Sequence, residues 1–183
     1  MVKKHALRPL TALLALLAAL TLAGCSTFAG DEAPAEPTLL STTEKAGGRL
    51  LEGARGQLSN ETVIATTLVE VDQLDQTSTL GRTLSEALTS RLVEGGLNVI
   101  EVKLRDNLYI EELAGEMILS RNIQRLGNNY DATAVLLGTY AVGLSEVLVN
   151  ARLVSLGDRS ILSATSFRVP LDSDVQSLLA VPY

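Results

Sequence analysis

Apolar residues recur at helical spacing in two segments of the chain. The first segment carries a small or aliphatic residue at every fourth position: Ala46, Leu50, Ala54 and Leu58. The second carries five apolar residues on one helical face: Leu80, Leu84, Ala87, Leu88 and Leu92. These patterns predict amphipathic helices over 43–60 and from residue 80 onward, each with one face towards a core. For the second helix, Thr79 is available as the N-terminal cap, and Gly95 and Gly96 would end it.

Two strand-like segments flank the second helix. Residues 62–71, TVIATTLVEV, are β-branched and apolar on both alternating faces, which is typical of a central strand. Residues 98–102, NVIEV, form a second and shorter run. A strand, helix, strand order of this length predicts a parallel pair joined by a right-handed crossover.

The last third of the chain changes to a strand pattern. Three runs, at 132–143, 146–156 and 160–170, are joined by short turns and predict an antiparallel meander. In the middle run, four residues that suit a core alternate with a more mixed set: Val147, Val149, Ala151 and Leu153 against Leu148, Asn150, Arg152 and Val154. After Pro170 the residues DSDVQSLL predict a short terminal helix.

These elements predict the fold class and leave one segment undecided. We expect a single α/β domain over 43–183, with a mixed β-sheet packed with helices: a strand-helix-strand crossover followed by an antiparallel three-strand meander. Residues 107–119 fit either an irregular hairpin or a helix. Beyond them, Ser120 could cap a short helix with three residues on one face: Ile123, Leu126 and Tyr130.

The first 24 residues have the order of a secretory signal peptide. Three basic residues precede an apolar run that is shorter than the roughly 20 residues a membrane-spanning helix needs. The run ends in LAGC at 22–25, which resembles the lipobox of bacterial lipoproteins. The resemblance implies cleavage before Cys25 and lipidation of that cysteine. An ordinary signal peptide followed by a free thiol is the weaker alternative, because an unpaired cysteine is unexpected in an exported protein.

The segment after the signal peptide predicts how the domain would be held. Residues 25–42 are rich in alanine, proline, threonine and acid without periodicity, so we expect a lipidated flexible tether. Ser26, where lipoproteins retained at the inner membrane carry aspartate, favours the outer membrane by the same resemblance. The expected location is therefore the outer membrane, through the lipid anchor and facing the periplasm.

Composition removes most classes of enzyme. Without residues 1–24 the chain has twelve basic and twenty-one acidic residues, a net charge of −9 that argues against nucleic acid. The only histidine is His5, so the mature chain has no Ser-His, Cys-His or zinc-histidine site. We expect no cofactor, no metal and no catalysis. A carboxylate enzyme using Glu111, Glu112 and Glu116 is the remaining catalytic alternative, and a solvated acidic surface is the simpler interpretation.

Several motifs, in the same order along the chain, point to a known family. They are Gly81-Arg82, Glu101 with Arg105, Gly115-Glu116 with Ser120-Arg121, Gly138-Thr139-Tyr140, and Asn150 with Arg152. Over about residues 62–180 the chain resembles the FlgO family of outer-membrane lipoproteins associated with flagella. The resemblance implies a non-enzymatic part in flagellar assembly or stability, and therefore in motility.

Six residues of these segments are candidates for contact with a protein partner: Arg82, Arg105, Arg121, Tyr140, Asn150 and Arg152. In an acidic chain, arginines gathered on one face would form a docking patch for a partner. The alternative is that each arginine makes an ordinary surface ion pair, which would contribute about 0 to 1 kcal/mol to the stability of the fold. The expected partners are flagellar or other envelope proteins, and homo-oligomerisation is left open by analogy alone. The alternative function is a periplasmic regulator or scaffold of another envelope enzyme, for which a longer tether would be expected.

Overall fold

The computed structural model describes residues 38–74, 76–102, 111–113, 116–118 and 127–180, with the backbone alone in the two three-residue segments. The predicted signal peptide, Cys25, Arg105, Arg121 and Ser120 all lie outside these residues. In the described part of the chain, no helix is long and apolar enough to cross a membrane.

Helices and strands alternate at first and then give way to consecutive strands. The helices are α1 (Leu39–Gly53), α2 (Thr79–Glu94) and α3 (Ser173–Leu179), and a further helical turn covers 127–129. The strands are β1 (Thr62–Ala65), β2 (Val69–Glu70), β3 (Asn98–Glu101), β4 (Glu111–Leu113), β5 (Glu116–Ile118), β6 (Ala132–Val142), β7 (Glu146–Ser155) and β8 (Ile161–Pro170).

One mixed sheet carries the domain. Its strand order is β3-β1-β6-β7-β8, and β2 pairs with β6 beyond the end of β1. β1 is parallel to β3 and to β6, whereas β6, β7 and β8 are antiparallel neighbours. The predicted α/β fold, with its parallel crossover and three-strand meander, is therefore confirmed. β4 and β5 form a separate antiparallel pair, so the described residues of the ambiguous segment at 107–119 are strands.

Helix α1 begins earlier and ends earlier than the apolar pattern indicates. The Thr38 hydroxyl accepts the Ser41 N–H at 3.1 Å, and the Ser41 hydroxyl accepts the Thr38 N–H at 3.1 Å, so a reciprocal cap starts the helix inside the predicted tether of residues 25–42. The helix ends at Gly53 rather than at residue 60. Ala54 and Leu58 are nevertheless buried, because the turns after the helix return them to the core.

The single strand predicted at 62–71 is interrupted after Ala65. The Thr66 hydroxyl donates to the Leu136 carbonyl at 2.8 Å, and the Leu68 N–H donates to the Ser85 hydroxyl at 2.7 Å. The Leu68 side chain then packs over Gly138, where a Cβ atom would lie 2.6 Å from Leu68 Cγ. Glycine is needed at this point of β6 because the Leu68 side chain occupies the space of its missing side chain.

Helix α2 has the predicted apolar face and a different cap. Ser78, not Thr79, is the N-terminal cap, and its hydroxyl accepts the Gly81 N–H at 3.2 Å. The same hydroxyl accepts the phenol of Tyr140 at 2.9 Å, so the cap also joins the helix to β6. A local pattern favours either hydroxyl residue as the cap, and the contact with the sheet selects Ser78.

Two apolar clusters lie on opposite faces of the sheet. The larger one packs α1 and α2 onto the sheet and contains all four leucines of the α2 stripe and the four inward residues of β7, each at most 1 % exposed. Ala87 is only partly buried. The smaller cluster lies on the other face and contains Ile64, Val135, Leu137 and Val154. Val154 is thus buried, although the alternation along β7 places it on the side away from the helices.

Candidate functional site

A polar surface occupies the sheet face that α1 and α2 leave uncovered, on strands β7 and β8. We call it the outer sheet face and define it by Asn150, Arg152, Ala164, Ser166 and Arg168. Cross-strand pairing places Asn150 opposite Ser166 and Arg152 opposite Ala164. All of these residues are exposed except Arg152, which is half-buried. β7 and β8 therefore present one patch of amide, hydroxyl and guanidinium groups.

One hydrogen bond and one ion pair order this patch. The Ser166 hydroxyl donates to Asn150 Oδ1 at 2.6 Å across the two strands. At the end of the same strands, Arg168 Nη1 lies 3.7 Å from Glu146 Oε2. The Arg168 side chain is largely exposed and that of Glu146 about half exposed, so the pair contributes about 0 to 1 kcal/mol to the free energy of folding. The patch is consequently ordered locally but still accessible to a partner.

The structure brings together two of the six predicted contact residues. Asn150 and Arg152 are two positions apart on β7 and share the outer sheet face. Arg82 is exposed on α2, in the helical layer on the other side of the sheet, and its Nη2 donates to the Thr79 hydroxyl at 3.0 Å. Arg105 and Arg121 lie outside the described residues. The predicted arginine cluster is therefore not found among the arginines whose positions are described.

Tyr140 lies in the core. Its side chain is 2 % exposed, points towards the helical layer, and donates its phenolic hydrogen to the Ser78 hydroxyl at 2.9 Å. This burial removes Tyr140 from the candidate contact surface. The residue instead locks the start of α2 to β6, because a buried phenol needs a hydrogen-bond partner and the cap hydroxyl supplies it.

The acidic residues considered for catalysis lie on the small hairpin. Glu111 and Glu112 belong to β4 and Glu116 to β5, where Leu113 pairs with Glu116. Across the described ranges, no group of three or more metal-binding side chains could hold an ion.

A groove of about 460 Å³ opens between the C-terminal ends of α1 and α2. Its charged lining residues are Glu52, Arg55 and Arg91. Arg91 Nη1 also lies 3.2 Å from Glu94 Oε2. Acidic and basic side chains are therefore balanced in the groove. The C-terminal ends of two helices add partial negative charge, which disfavours binding of an anion. The groove has no chemical preference that would identify a ligand.

Three of the five residues of the outer sheet face were not predicted from the sequence. Ala164, Ser166 and Arg168 alternate with buried residues along β8, in the stretch SATSFRVP. The alternation of inward and outward residues that applies to β7 also applies to β8, and it predicts that these three side chains point away from the core. Only the strand pairing, however, shows that Ser166 lies beside Asn150.

Comparison with known proteins supports the fold and the family separately. Among curated proteins, none matches the chain in sequence. The LpoB C-terminal domain from Salmonella enterica has a similar fold, with a TM-score of 0.50 and 10 % identity over 72 % of this chain and 97 % of that one. The corresponding domain from Escherichia coli has a TM-score of 0.49 and 12 % identity over the same shares.

The family is established by a match to the model described as FlgO protein. The match runs over residues 44–174, from within α1 to the start of α3. It spans well over half of the chain and contains both strands of the outer sheet face. This confirms the resemblance seen in the sequence motifs, and the chain belongs to the FlgO protein family.

Proposed function

We propose that this protein is a non-enzymatic, lipid-anchored component of the outer membrane that contributes to flagellar assembly or stability. The observation that carries the proposal is the FlgO match over residues 44–174, which covers nearly the whole described domain. The lack of histidine in the mature sequence also supports a binding role over catalysis.

The anchor part of the proposal rests on the N-terminal sequence. Cys25 is the only cysteine of the chain and follows Leu22, Ala23 and Gly24 at the end of the apolar run. Several acyl chains on one cysteine would hold the protein stably, since each buried methylene contributes about 0.8 kcal/mol and a single chain binds only marginally. Residues 26–37 would then join the lipid to the cap of α1.

The contact part of the proposal assigns partner binding to the outer sheet face. In a chain of net negative charge, this face carries Arg152 and Arg168 against one acid, Glu146. Asn150 and Ser166 supply neutral donors and acceptors between them. Such a face suits a protein surface that offers carboxylates and backbone groups.

The first experiment deletes the gene in the native host and restores it with the wild-type protein or with Cys25→Ser. We expect the deletion to lose or shed filaments and to swim poorly, and only the acylatable protein to restore swimming. Fractionation of the same strains should find the wild-type protein with the outer membrane and Cys25→Ser in the soluble periplasmic fraction. Retention of Cys25→Ser with the membrane would contradict the anchor.

Normal swimming in the deletion strain would contradict the flagellar role. The regulator or scaffold of another envelope enzyme, which a binding domain of this kind also suits, would then become the leading function. Crosslinking and pull-down of the wild-type protein from native envelopes would test that alternative directly, with recovery of an envelope enzyme as its expected result.

A matched pair of variants tests the contact surface. Ser166→Lys adds a long cation to the outer sheet face, whereas Ser90→Lys makes the same exchange on the exposed side of α2. Both serines are exposed and each hydroxyl donates one hydrogen bond, Ser166 to Asn150 Oδ1 across the strands and Ser90 to the Glu86 carbonyl one helical turn earlier. We expect Ser166→Lys to impair swimming with unchanged thermal stability, and Ser90→Lys to behave as wild type. Equal behaviour of the two variants would remove the outer sheet face as the contact surface.

A further inference from the structure

Several large apolar side chains are exposed at one end of the domain. We call this group the apolar tip and define it by five residues and their exposed fractions: Leu40 56 %, Val71 44 %, Val142 45 %, Leu144 104 % and Leu148 47 %. The other three exposed large apolar side chains in the described ranges lie on α2, before β6 and at the start of β8: Val93, Tyr130 and Ile161.

Strand pairing places four of these residues at the end of the sheet that carries the β6–β7 turn. The Val71 N–H donates to the Tyr140 carbonyl at 2.9 Å. Val71 therefore lies beside the end of β6 that leads into the β6–β7 turn. Leu148 pairs with Ala141 and with Arg168, so it lies on the side of the outer sheet face, whereas Val142 pairs with Val147 and lies on the side of the helices. Val142 ends β6, and Leu144 occupies the turn between β6 and β7, where it is fully exposed. The tip is thus formed by the β6–β7 turn and the adjacent end of β2.

Helix α1 brings Leu40 and the entering chain to the same end. Arg49 Nε donates to the Thr165 hydroxyl at 2.9 Å, and Gly53 lies against Ser163, so α1 runs antiparallel to β8. From Arg49 to the first residue of α1 the helix rises about 15 Å. From Thr165 to Pro170 the strand advances about 17 Å. The start of α1 is therefore level with Pro170, which pairs with Glu146 beside the β6–β7 turn.

From this arrangement we infer that the apolar tip contacts the lipid bilayer and turns the domain with this end towards the membrane. The inference rests on the proposed anchor at Cys25. Twelve residues, 26–37, separate that cysteine from the cap of α1, and they reach at most about 45 Å when fully extended. The tether joins the domain beside the tip, so a lipid anchor would draw this end towards the bilayer.

The charges around the tip specify which lipid surface it suits. Four acids lie in the segments that meet there: Asp72 after β2, Glu146 at the start of β7, and Asp172 and Asp174 at the start of α3. Arg168 is paired with Glu146, and this one cation leaves the net charge around the tip negative. An anionic surface would be repelled, so contact depends on apolar insertion into a layer of neutral phospholipid headgroups.

Single tryptophans test the inference directly, because the chain contains no native tryptophan. The full-length acylated protein is reconstituted in phosphatidylcholine vesicles as Leu144→Trp, as Leu40→Trp and as the matched control Ile161→Trp. Ile161 is as exposed as Leu40 and lies at the opposite end of β8 from the tip. Vesicle flotation first measures anchoring, and acyl-chain-brominated phosphatidylcholine then measures contact with the bilayer.

We expect all three proteins to float with the vesicles. Emission from tryptophan at 144 and at 40 should shift to shorter wavelength and be quenched by the brominated lipid. At 161 the emission should stay at its aqueous wavelength and be quenched by acrylamide instead. Equal aqueous emission at all three positions in floating protein would overturn the inference alone and favour a protein occupant of the tip. Failure to float would overturn the anchor, and the inference with it.

Discussion

Gly81, at the start of α2, has no space for a side chain. A Cβ atom there would collide with the Thr77 hydroxyl and lie 2.5 Å from the Leu68 carbonyl oxygen, and neither neighbour is free to move because the two are hydrogen-bonded to each other at 2.6 Å. We expect Gly81→Ala to lower the free energy of unfolding by about 1 to 3 kcal/mol, as overpacking does.

The control is a glycine in the interior of α1. Gly48 has only Arg91 Nε near its missing Cβ, at 3.9 Å. Gly48→Ala should therefore stabilise the protein by up to about 1 kcal/mol through helix propensity. Urea unfolding of both variants measures the two effects, and a neutral Gly81→Ala would show that the α2 start can shift.

Asp158, in the turn between β7 and β8, should respond to acid. Hydrogen bonds from the Ser155 side chain, and from the Ser160 hydroxyl and N–H, lower the pKa of its carboxyl from 3.8 to about 2. The folded pKa lies below the ordinary value, so the stabilisation is complete above pH 3.8 and is lost as the pH falls towards 2. We expect the stability difference between wild type and Asp158→Asn to shrink over this range. A difference that stays constant would contradict the assignment.

Leu84 tests the packing of α2 as an element. The side chain is fully buried in the cluster between the helices and the sheet. Leu84→Ala should lower the free energy of unfolding by about 2 to 5 kcal/mol, because it removes apolar contacts and leaves a cavity. Glu86→Ala, on the exposed side of the same helix, should change it by at most about 0.5 kcal/mol. Similar effects of the two substitutions would mean that the stripe is not core.

Element boundaries followed side-chain hydrogen bonds more than apolar periodicity. The stripe of Ala46, Leu50, Ala54 and Leu58 identified the residues that become buried, but it extended α1 seven residues too far. Burial can be reached from a helix or from turns, so a spacing of four does not distinguish them. Conversely, the cap at Thr38 uses polar residues that the apolar pattern does not register.

At the scale of the whole molecule, the start of the domain is the clearest departure from the sequence pattern. A chain beginning at residue 43 follows the predicted boundary, and one beginning at residue 37 retains the reciprocal cap and Leu39, which packs against the core. We expect the shorter chain to be less stable, by about 0.5 to 2 kcal/mol for the lost cap alone. Equal urea midpoints for the two chains would mean that the first turn of α1 contributes nothing to the stability of the domain.

The contact surface and the apolar tip both depend on pairings between distant segments. Asn150 and Ser166 are sixteen positions apart and become partners only through the register of β7 with β8. Leu40 and Leu144 are 104 positions apart and reach one end of the domain because α1 runs antiparallel to β8. No local pattern contains that information.

The sequence by itself determined the α/β class, the crossover, the meander, the core faces of α2 and β7, and the family. These follow from periodicity and from ordered motifs, which depend on neighbours along the chain. The tertiary structure alone decided that Tyr140 is buried against the cap of α2, that Arg82 lies on the opposite layer from Asn150 and Arg152, and that exposed leucines gather where α1 begins. The physical reason is that a strand residue can face either layer with the same local spacing, and only packing and register select the face.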